Sequence, residues 1–363
     1  MLHSLDIKNY RNLKELKINS LGRVNLITGK NNTGKSTLLE AIAIYATKGY
    51  WRLIKQLLED RGEPLEYGQK HSIETRIKTL SSLFNNRNIG FDSTDAIVIG
   101  SLQDKSLSDD LVSLRFVKYA DEIIKEDGNI IKKRRFFQNN TETVENYKIG
   151  FDVKSKQPYL LPLEENMGET GLTPLPHNIQ FIKTRNIDKD SNGSLFDKIT
   201  LTDKEQYVIE ALKIIEPLTE RIAFVGETKT ERNAVVKLLN SQQILPLQGM
   251  GDGMNKILTI ILALVNSDNG YVLIDEFENG LHYTVQEKLW EIIFQLSKNL
   301  HIQVFATTHS EDCIKGFQSI LNNQENLSDG KLIRLDNENG IIKQVEFDAK
   351  ELKIATNHDI EIR

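Results

Sequence analysis

Hydrophobic and polar positions alternate at the start of the chain in the manner of β-strands. Residues 1–28 predict two or three short strands, and the last of them, Arg23 to Thr28, is an apolar run that enters a glycine-rich turn. The segment Ser36 to Ala46 then has the spacing of a helix that packs against a sheet. The predicted order is therefore strand, glycine loop, helix.

The last third of the chain alternates between helix and strand patterns. Apolar spacing predicts a helix, a buried strand, a second helix and a second strand, over Met254 to Val265, Gly270 to Ile274, Thr284 to Lys298 and Gln303 to Thr307. This alternation favours a parallel sheet with helical crossovers. A hairpin of Leu332 to Leu335 and Ile341 to Phe347 is expected to follow.

The middle of the chain has a less regular pattern, which we interpret as an inserted α/β lobe. It contains predicted helices at Trp51 to Asp60 and Asp203 to Glu216, and a predicted strand at Asn178 to Lys183. The expected organisation is the N-terminal part of a head domain at 1–46, the inserted lobe at 47–220, the C-terminal part of the head at 221–330, and a hairpin with a tail at 331–363.

Charge and composition narrow the class of protein. Lysine and arginine total 46 and aspartate and glutamate total 51, which gives a net charge of −5. The chain is therefore not a polycation that would bind nucleic acid non-specifically through its overall charge. The one cysteine, Cys313, excludes an intramolecular disulfide and fits a semi-buried small hydrophobe in a reducing compartment. No apolar run is long enough to span a bilayer, so we expect a cytoplasmic protein without membrane contact.

The basic run Lys132 to Arg135, followed by Phe136 and Phe137, has two interpretations. Basic residues beside aromatic ones can hold a phosphate backbone and stack bases. The favoured alternative is one arm of a solvated hairpin after a turn at 127–129.

The glycine-rich turn has the full spacing of a Walker A motif. Its glycines allow backbone N–H groups to surround phosphate oxygens, the following helix adds a partial positive charge, Lys35 bridges β- and γ-phosphates, and Ser36 is a ligand for Mg²⁺. The expected phosphate-binding residues are Gly29, Asn31, Asn32, Thr33, Gly34, Lys35, Ser36 and Thr37.

Two acidic residues end the apolar strand at Ile274, as in a Walker B motif. Asp275 is expected to hold Mg²⁺, directly or through water, and Glu276 to orient or deprotonate the attacking water. The strand Gln303 to Thr307 leads in the same way to His309, which can donate a hydrogen bond to the γ-phosphate. Glu276, His309 and Lys35 are therefore the expected catalytic residues.

A fourth element, Gly251-Asp252-Gly253, precedes a predicted helix shortly before the Walker B strand. Small residues at a helix start suit a surface that approaches a phosphate closely. These residues are the candidate signature; the alternative is a loop in which Asp252 caps the helix.

Together these motifs resemble the ATPase module of the OLD-like family, which is related to the RecF and SMC ATPases. The opening Leu5-Asp6-Ile7-Lys8-Asn9-Tyr10-Arg11-Asn12 and the stretch Glu276-Phe277-Glu278-Asn279-Gly280-Leu281-His282 carry the likeness, over residues 1–46 and about 245–315. The resemblance implies an ABC-type P-loop NTPase head with an N-terminal β layer, a parallel-sheet core and an inserted α/β lobe. It also implies ATP and Mg²⁺ as cofactors, and a signature that meets the partner protomer's nucleotide.

The chain departs from the family pattern at several points. The signature lacks Ser-Gly-Gly, Tyr283 stands where a proline is common, and no Q-loop glutamine is evident, Gln180 and Arg185 being the candidates. The family's full-length nucleases carry a Toprim domain after this module. The segment after His309 is shorter than a typical domain, so we expect no nuclease activity within this chain.

The leading functional hypothesis is an ATPase that dimerises on ATP and is reset by hydrolysis. The resemblance implies a role in bacterial DNA repair or anti-phage defence with a separate Toprim-type nuclease or other effector, and with DNA as a further partner. The alternatives are a nucleotide-dependent scaffold or sensor switch with little turnover, and a transporter's nucleotide-binding subunit, which the signature disfavours. The motifs do not select between ATP and GTP, nor do they fix the oligomer size beyond a homodimer.

Overall fold

The structure is a computed structural model of the chain. It describes residues 1–65, 72–101, 111–126, 129–137, 147–164, 178–183, 189–226, 232–240, 243–251, 253–322, 328–357 and 362. Its strands are β1 Leu5–Tyr10, β2 Leu13–Ile18, β3 Val24–Thr28, β4 Ile97–Gly100, β5 Leu111–Glu126, β6 Asn129–Phe137, β7 Lys148–Lys154, β8 Tyr159–Pro162, β9 Ile179–Ile182, β10 Thr219–Val225, β11 Asn233–Leu238, β12 Ile244–Pro246, β13 Tyr271–Ile274, β14 Gln303–Thr307, β15 Gly330–Glu338 and β16 Ile341–Phe347. Its α-helices are α1 Lys35–Ala46, α2 Trp51–Asp60, α3 Ile73–Ser81, α4 Lys189–Asp197, α5 Lys204–Ile215, α6 Gly253–Val265, α7 Tyr283–Asn299, α8 Glu311–Leu321 and α9 Ala349–Asn357.

A six-stranded sheet forms the centre of the molecule, in the order β16-β15-β3-β14-β13-β9. The strands from β15 to β9 run parallel, and β16 is antiparallel to β15. Because parallel strands need crossover connections, helices cover both faces of this sheet. The predicted parallel sheet with helical crossovers is confirmed.

Alternating side chains of these strands enter two separate hydrophobic cores. Val272 and Ile274 of β13 join a core that includes residues of α5, α6, α7 and α8. Leu273, between them, joins a second core with residues of α1, α2 and the N-terminal strands. The sheet is therefore buried on both faces, which explains why its strands are continuous apolar runs in the sequence.

The N-terminal β layer draws its strands from two distant parts of the chain. β1 pairs antiparallel with both β2 and β4, and the sheet continues through β5, β7 and β8, with β6 paired to β5. Strands from the segment 47–220, which the sequence suggested as an inserted lobe, thus complete this sheet, while β9 joins the central one. A third, three-stranded antiparallel sheet is formed by β10, β11 and β12.

The basic run at 132–137 lies on β6, which confirms the interpretation as a hairpin arm. Across the hairpin, Arg134 Nε lies 2.9 Å from a carboxylate oxygen of Asp121, and Arg135 Nη1 lies 3.6 Å from Glu122. The turn at 127–128 is outside the described residues. Because acids across the hairpin face these arginines, their positive charge is largely balanced within the protein.

Two further expectations concern Cys313 and the membrane. Cys313 is a small hydrophobe as expected, but it is fully buried in the first hydrophobic core where a semi-buried position was expected, and burial raises the pKa of its thiol. Within the described residues, no helix combines the length and the apolar character that a membrane span requires.

One buried glutamine joins the start of the chain to the central sheet. Gln303, at the first position of β14, accepts a 2.8 Å hydrogen bond from the backbone N–H of Leu2. Its amide nitrogen donates to the backbone oxygens of Leu2 and Gly22, at 2.7 and 2.8 Å. The side chain is 2% exposed, so water cannot replace these partners.

We therefore expect Gln303→Met to lower the free energy of unfolding by about 2–3 kcal/mol, because buried backbone groups lose their partners. Urea denaturation measures this difference. Gln295→Met is the matched control, since Gln295 is exposed on α7 and its substitution should change stability by less than about 0.5 kcal/mol. Equal effects of the two substitutions would contradict this account.

Candidate functional site

The carboxyl ends of the parallel strands meet at one edge of the central sheet. The glycine loop follows β3, His309 follows β14, and Asp275 and Glu276 follow β13, which is adjacent to β14. The structure thus brings three of the predicted motifs to one place. They line a cavity of about 870 Å³ formed by Arg11, Asn12, Asn31, Asn32, Thr33, Gly34, Lys35, Ser36, Thr37, Arg61, Asp275, Glu276, His309, Asn337, Gly340 and Ile342.

The glycine loop has the backbone conformation of a phosphate-binding loop. Gly29 has φ 142° and Gly34 has φ 90°, values that disfavour residues with a Cβ atom. A Cβ on Gly29 would lie 2.4 Å from the backbone oxygen of Leu335, so this position also requires glycine for space. α1 begins directly after Gly34 and has no acidic residue in its first turn, so its N-terminus remains attractive to anions.

The lysine of this loop bonds to the loop itself. Lys35 Nζ donates to the backbone oxygens of Gly29 at 2.6 Å and Lys30 at 3.0 Å. Thr33 Oγ1 also donates to the oxygen of Lys30, at 2.8 Å. These contacts hold the loop closed around the ammonium group and keep that group beside the cavity.

Asp275 connects the glycine loop to two strands. Its Oδ1 accepts hydrogen bonds from Ser36 Oγ at 3.1 Å and from Thr307 Oγ1 at 2.6 Å. Its backbone N–H donates to the oxygen of Ile182 in β9, at 2.9 Å. The expected pair of Mg²⁺ ligands, Ser36 and Asp275, is therefore in direct contact.

The backbone of Glu276 is held on both sides in an unusual conformation. Its φ of 50° lies in the left-handed region, which is costly for a residue with a side chain and common at functional sites. Its N–H donates to Thr307 Oγ1 at 2.9 Å, and its carbonyl oxygen accepts a 2.8 Å bond from Lys256 Nζ. These two bonds fix the direction in which the Glu276 carboxylate leaves the strand end.

Lys256 is a buried cation beneath this turn, on α6. Besides Glu276, its ammonium group donates to the backbone oxygen of Asn279 at 2.7 Å. Burial lowers the pKa of Lys256 to about 8, and the carboxylates of Glu278 and Glu276 partly oppose that shift. Lys256 thus bonds the first turn of α6, which follows the signature-like glycines, to the turn at 276–279 after Asp275, here called the Walker B turn.

His309 is oriented by a carboxylate that sequence reasoning did not single out. Its Nδ1 lies 2.7 Å from Glu278 Oε1, and its backbone N–H donates to the same oxygen at 2.9 Å. Thr308 Oγ1 donates to the other oxygen of Glu278, at 2.7 Å. With Nδ1 bonded to the carboxylate, Nε2 is the ring nitrogen left for a ligand in the cavity.

A cluster of two arginines around one glutamate supports the other wall of the cavity. Glu40, buried on α1, lies 3.1 Å from Arg11 Nε and 2.8 Å from Arg61 Nε. Arg61 Nη2 also donates to Thr37 Oγ1, at 3.3 Å. The cluster connects the turn between β1 and β2, and the residue that follows α2, to the helix of the glycine loop.

The signature-like glycines lie outside this cavity. Gly251 is exposed with φ 120°, and Gly253 is the first residue of α6. Neither lines the cavity in the described part of the chain, and Asp252 lies outside the described residues.

Of the two Q-loop candidates, Gln180 is described and does not reach the site. Gln180 pairs with Val272, well before Asp275 on the neighbouring strand, and it points to the opposite face from Phe181. Arg185 lies outside the described residues. The residue that follows β9 at the level of Asp275 is Lys183.

Sequence reasoning missed several residues of the site. Glu278 and Lys256 stand within the motif stretches, so their acidic and basic character was visible, although their partners were not. Thr307 precedes His309 by two residues and gave no signal beyond an apolar strand. Arg61 and Lys183 reach the site only through tertiary packing, so no local pattern indicates them.

The geometry fits a nucleotide with Mg²⁺. Arg11 Nη2 is buried and has no hydrogen-bond partner among the described residues, and Arg11 lines the cavity, where an anionic group could bond to it. Mg²⁺ commonly takes one or two protein oxygens together with phosphates and water. Ser36 Oγ and Asp275 Oδ1 supply such oxygens. The described residues contain no cluster of three or more His, Cys, Asp or Glu that could hold a metal alone.

The amino-acid sequence is similar to the sequences of known nucleotide-hydrolysing and DNA-repair proteins. The chain is 26% identical to an "ATP/GTP phosphatase" of Helicobacter pylori, with 92% of each chain covered. It is also 26% identical to the "DNA replication and repair protein RecF" of Streptococcus pneumoniae, over 90% of this chain and 96% of that one.

Among solved structures, the crystal structure of an SmcHead bound to the C-winged helix domain of ScpA has a TM-score of 0.51 at 12% identity. It covers 98% of this chain and 99% of that chain, which supports the expected ABC-ATPase-like α/β head with a P-loop. The family model of the AAA ATPase domain matches residues 1–314. The chain therefore belongs to the AAA ATPase domain family.

Proposed function

We propose that the protein is a Mg²⁺-dependent ATPase of which two copies close on each other around ATP, and that hydrolysis separates them again. The observation that carries the proposal is the contact of Ser36 with Asp275 beside the constrained Glu276. Ser36 and Asp275 would hold Mg²⁺, Lys35 would neutralise the phosphates, and Glu276 would act on the attacking water. Bound Mg²⁺ supplies charge neutralisation at the transferring phosphoryl group.

The position of the signature-like glycines supports closure of two copies. Gly251 and Gly253 are absent from the lining of the cavity in their own chain. Small residues at the start of α6 can approach a phosphate of another molecule closely. A homodimer with two composite sites would use both the P-loop and the glycines of each copy, and higher homo-oligomers would be built from such pairs.

The direction of the nucleotide follows from the order of strands at the sheet edge. With a terminal phosphate near Asp275, the nucleobase would lie toward the hairpin of β15 and β16, where Asn337, Gly340 and Ile342 line the cavity. That lining contains no Phe, Tyr or Trp among the described residues, so a base would be held without stacking on such a ring. We infer weak selection between ATP and GTP, in keeping with the relative named "ATP/GTP phosphatase".

The biological role that we propose is the ATPase component of a DNA-repair or anti-phage defence system. The relative named "DNA replication and repair protein RecF" supports a DNA-linked role, and the OLD-like motifs support a separate Toprim-type nuclease or other effector. With a net charge of −5, DNA contact by this chain requires a local patch or the effector. We place the protein in the cytoplasm on this role.

Replacement of the proposed general base tests the function directly. We expect Glu276→Gln to lower kcat for ATP by about 100-fold or more while ATP binding remains, since general-base catalysis contributes on that scale. Steady-state phosphate release measures turnover, and size-exclusion chromatography with light scattering measures mass. The mass of the variant should double only with Mg²⁺ and ATP.

Glu291→Gln, an exposed carboxylate on α7, is the matched control and should behave as the wild type. If the wild type does not hydrolyse ATP, the proposed ATPase activity is wrong. A wild type with very slow turnover, and a Glu276→Gln variant that changes little, would identify a nucleotide-dependent scaffold or sensor instead.

The buried cation under Glu276 predicts a pH dependence of turnover. Because its pKa is lowered to about 8, Lys256 is charged below that pH and neutral above it. The neutral amine is a weaker donor to the oxygens of Glu276 and Asn279, so kcat should fall as pH rises through about 8. The carboxylates of Glu278 and Asp275 and the thiol of Cys313 also face this amine.

In Lys256→Arg the guanidinium group stays charged at alkaline pH, so kcat should remain high above pH 8. Lys256→Met should lower kcat roughly ten- to 100-fold at every pH, because the proposed base, Glu276, is misplaced. Initial rates from pH 6 to 10 at saturating ATP measure these profiles. The same alkaline decline in the wild type and in Lys256→Arg would rule out Lys256 as its cause.

A further inference from the structure

Lys183 stands at the level of the Walker B acids on the neighbouring strand. β9 is parallel to β13, with Ile182 paired to Ile274, so Lys183 and Asp275 are the next residues of the two strands. The backbone N–H of Asp275 donates to the oxygen of Ile182 at 2.9 Å, which fixes this alignment. Neighbouring strands are about 4.8 Å apart, a distance that a lysine side chain can cross.

The side chain of Lys183 lies on the face of the sheet that carries the glycine-loop helix. Lys183 Nζ lies 5.2 Å from the ring centroid of Phe181, two residues earlier on the same face. Its ammonium group forms an ion pair with Asp60, the last residue of α2. The side chain is 19% exposed, so it is neither fully buried nor free in solvent.

A second cavity connects Lys183 with the nucleotide site. It has a volume of about 1220 Å³, and its walls include Lys183, Asp60, Ser36, Asp275 and Glu276. The last three also line the nucleotide cavity. The second cavity therefore lies on the side of the Walker B acids toward β9. A terminal phosphate beside Asp275, and the water that attacks it, would lie next to this cavity.

The three basic residues of this second cavity differ in their partners. Arg11 and Arg61 both contact Glu40, which ties them to α1. Lys183 forms its ion pair with Asp60 instead. An ammonium group on a flexible four-carbon chain can exchange one anionic partner for another at little cost in geometry.

We propose that Lys183 binds the terminal phosphate of ATP in exchange for Asp60, and that this contact lets the site distinguish ATP from ADP. The inference rests on the proposed function, because it needs ATP to lie with its γ-phosphate toward Asp275. Lys183, which directly follows β9, then supplies the polar contact for which the sequence offered Gln180 as a candidate. Asp60 holds the ammonium group when no terminal phosphate is present.

Nucleotide binding by four proteins tests the exchange. The wild type, Lys183→Met, Lys183→Arg and Asp60→Asn are titrated with ADP and with a non-hydrolysable ATP analogue, both with Mg²⁺, by calorimetry. We expect Lys183→Met to lose about tenfold or more in affinity for the analogue and to bind ADP as the wild type does, since a charge-assisted bond to the γ-phosphate is removed. The affinity of Lys183→Arg for each of the two ligands should stay within about threefold of the wild-type affinity.

Asp60→Asn is the matched control because it breaks the same ion pair from the other side. If the pair only joins α2 to β9, both Asp60→Asn and Lys183→Met should weaken the two nucleotides alike, and the proposal is wrong. If Lys183 serves the phosphate, Asp60→Asn should keep or increase the preference for the analogue over ADP. Failure of the wild type to bind either nucleotide would instead refute the proposed function itself.

Discussion

One carboxylate oxygen holds the parts of the site in register. Oδ1 of Asp275 accepts hydrogen bonds from Ser36, at the start of α1, and from Thr307, at the end of β14. Thr307 in turn accepts from the backbone of Glu276, so the same few bonds set the position of the residue next to the metal site. Because Asp275 is also bonded to β9 through its backbone, a displacement of any of these elements changes the others.

This network gives the nucleotide site a means of communication with the rest of the molecule. Lys256 connects the carbonyl oxygen of Glu276 to the helix that follows the signature-like glycines. Glu278 connects the same turn to His309. A movement of α6 when two copies meet would therefore reach the proposed base through a single hydrogen bond. The proposed closure of two copies would thus be coupled to ATP binding through the Walker B turn.

Much of the fold and of the phosphate site could be predicted from the sequence, because local physics determines both. The glycine loop requires positive φ values between a strand and a helix, and it is found there with Gly29 and Gly34 in such conformations. The helix at Trp51–Asp60 and the strand Gln303–Thr307 match the predicted ranges, since each has a clear apolar period. The position of Asp275 and Glu276 at the sheet edge could be predicted because they end an apolar strand.

The remaining features depend on pairing between distant segments. Nothing in the local sequence indicates that β4 pairs with β1 or that β15 lies parallel to β3. The boundaries of an inserted lobe therefore stay a prediction. Lys183 is a similar case, because its importance arises from the register of β9 against β13. Gln180 looked suitable by residue type, and that register places it away from the site.

In the proposed complex, ATP lies across the sheet edge with its terminal phosphate at β13 and its base toward the hairpin of β15 and β16. A crystal structure of the protein with Mg²⁺ and a non-hydrolysable ATP analogue tests this placement of the nucleotide. We expect the β- and γ-phosphates on the glycine loop, the metal bonded to Ser36 with Asp275 beside it, and the base near Asn337 and Gly340. A base toward β9, or a metal away from Ser36 and Asp275, would contradict the account.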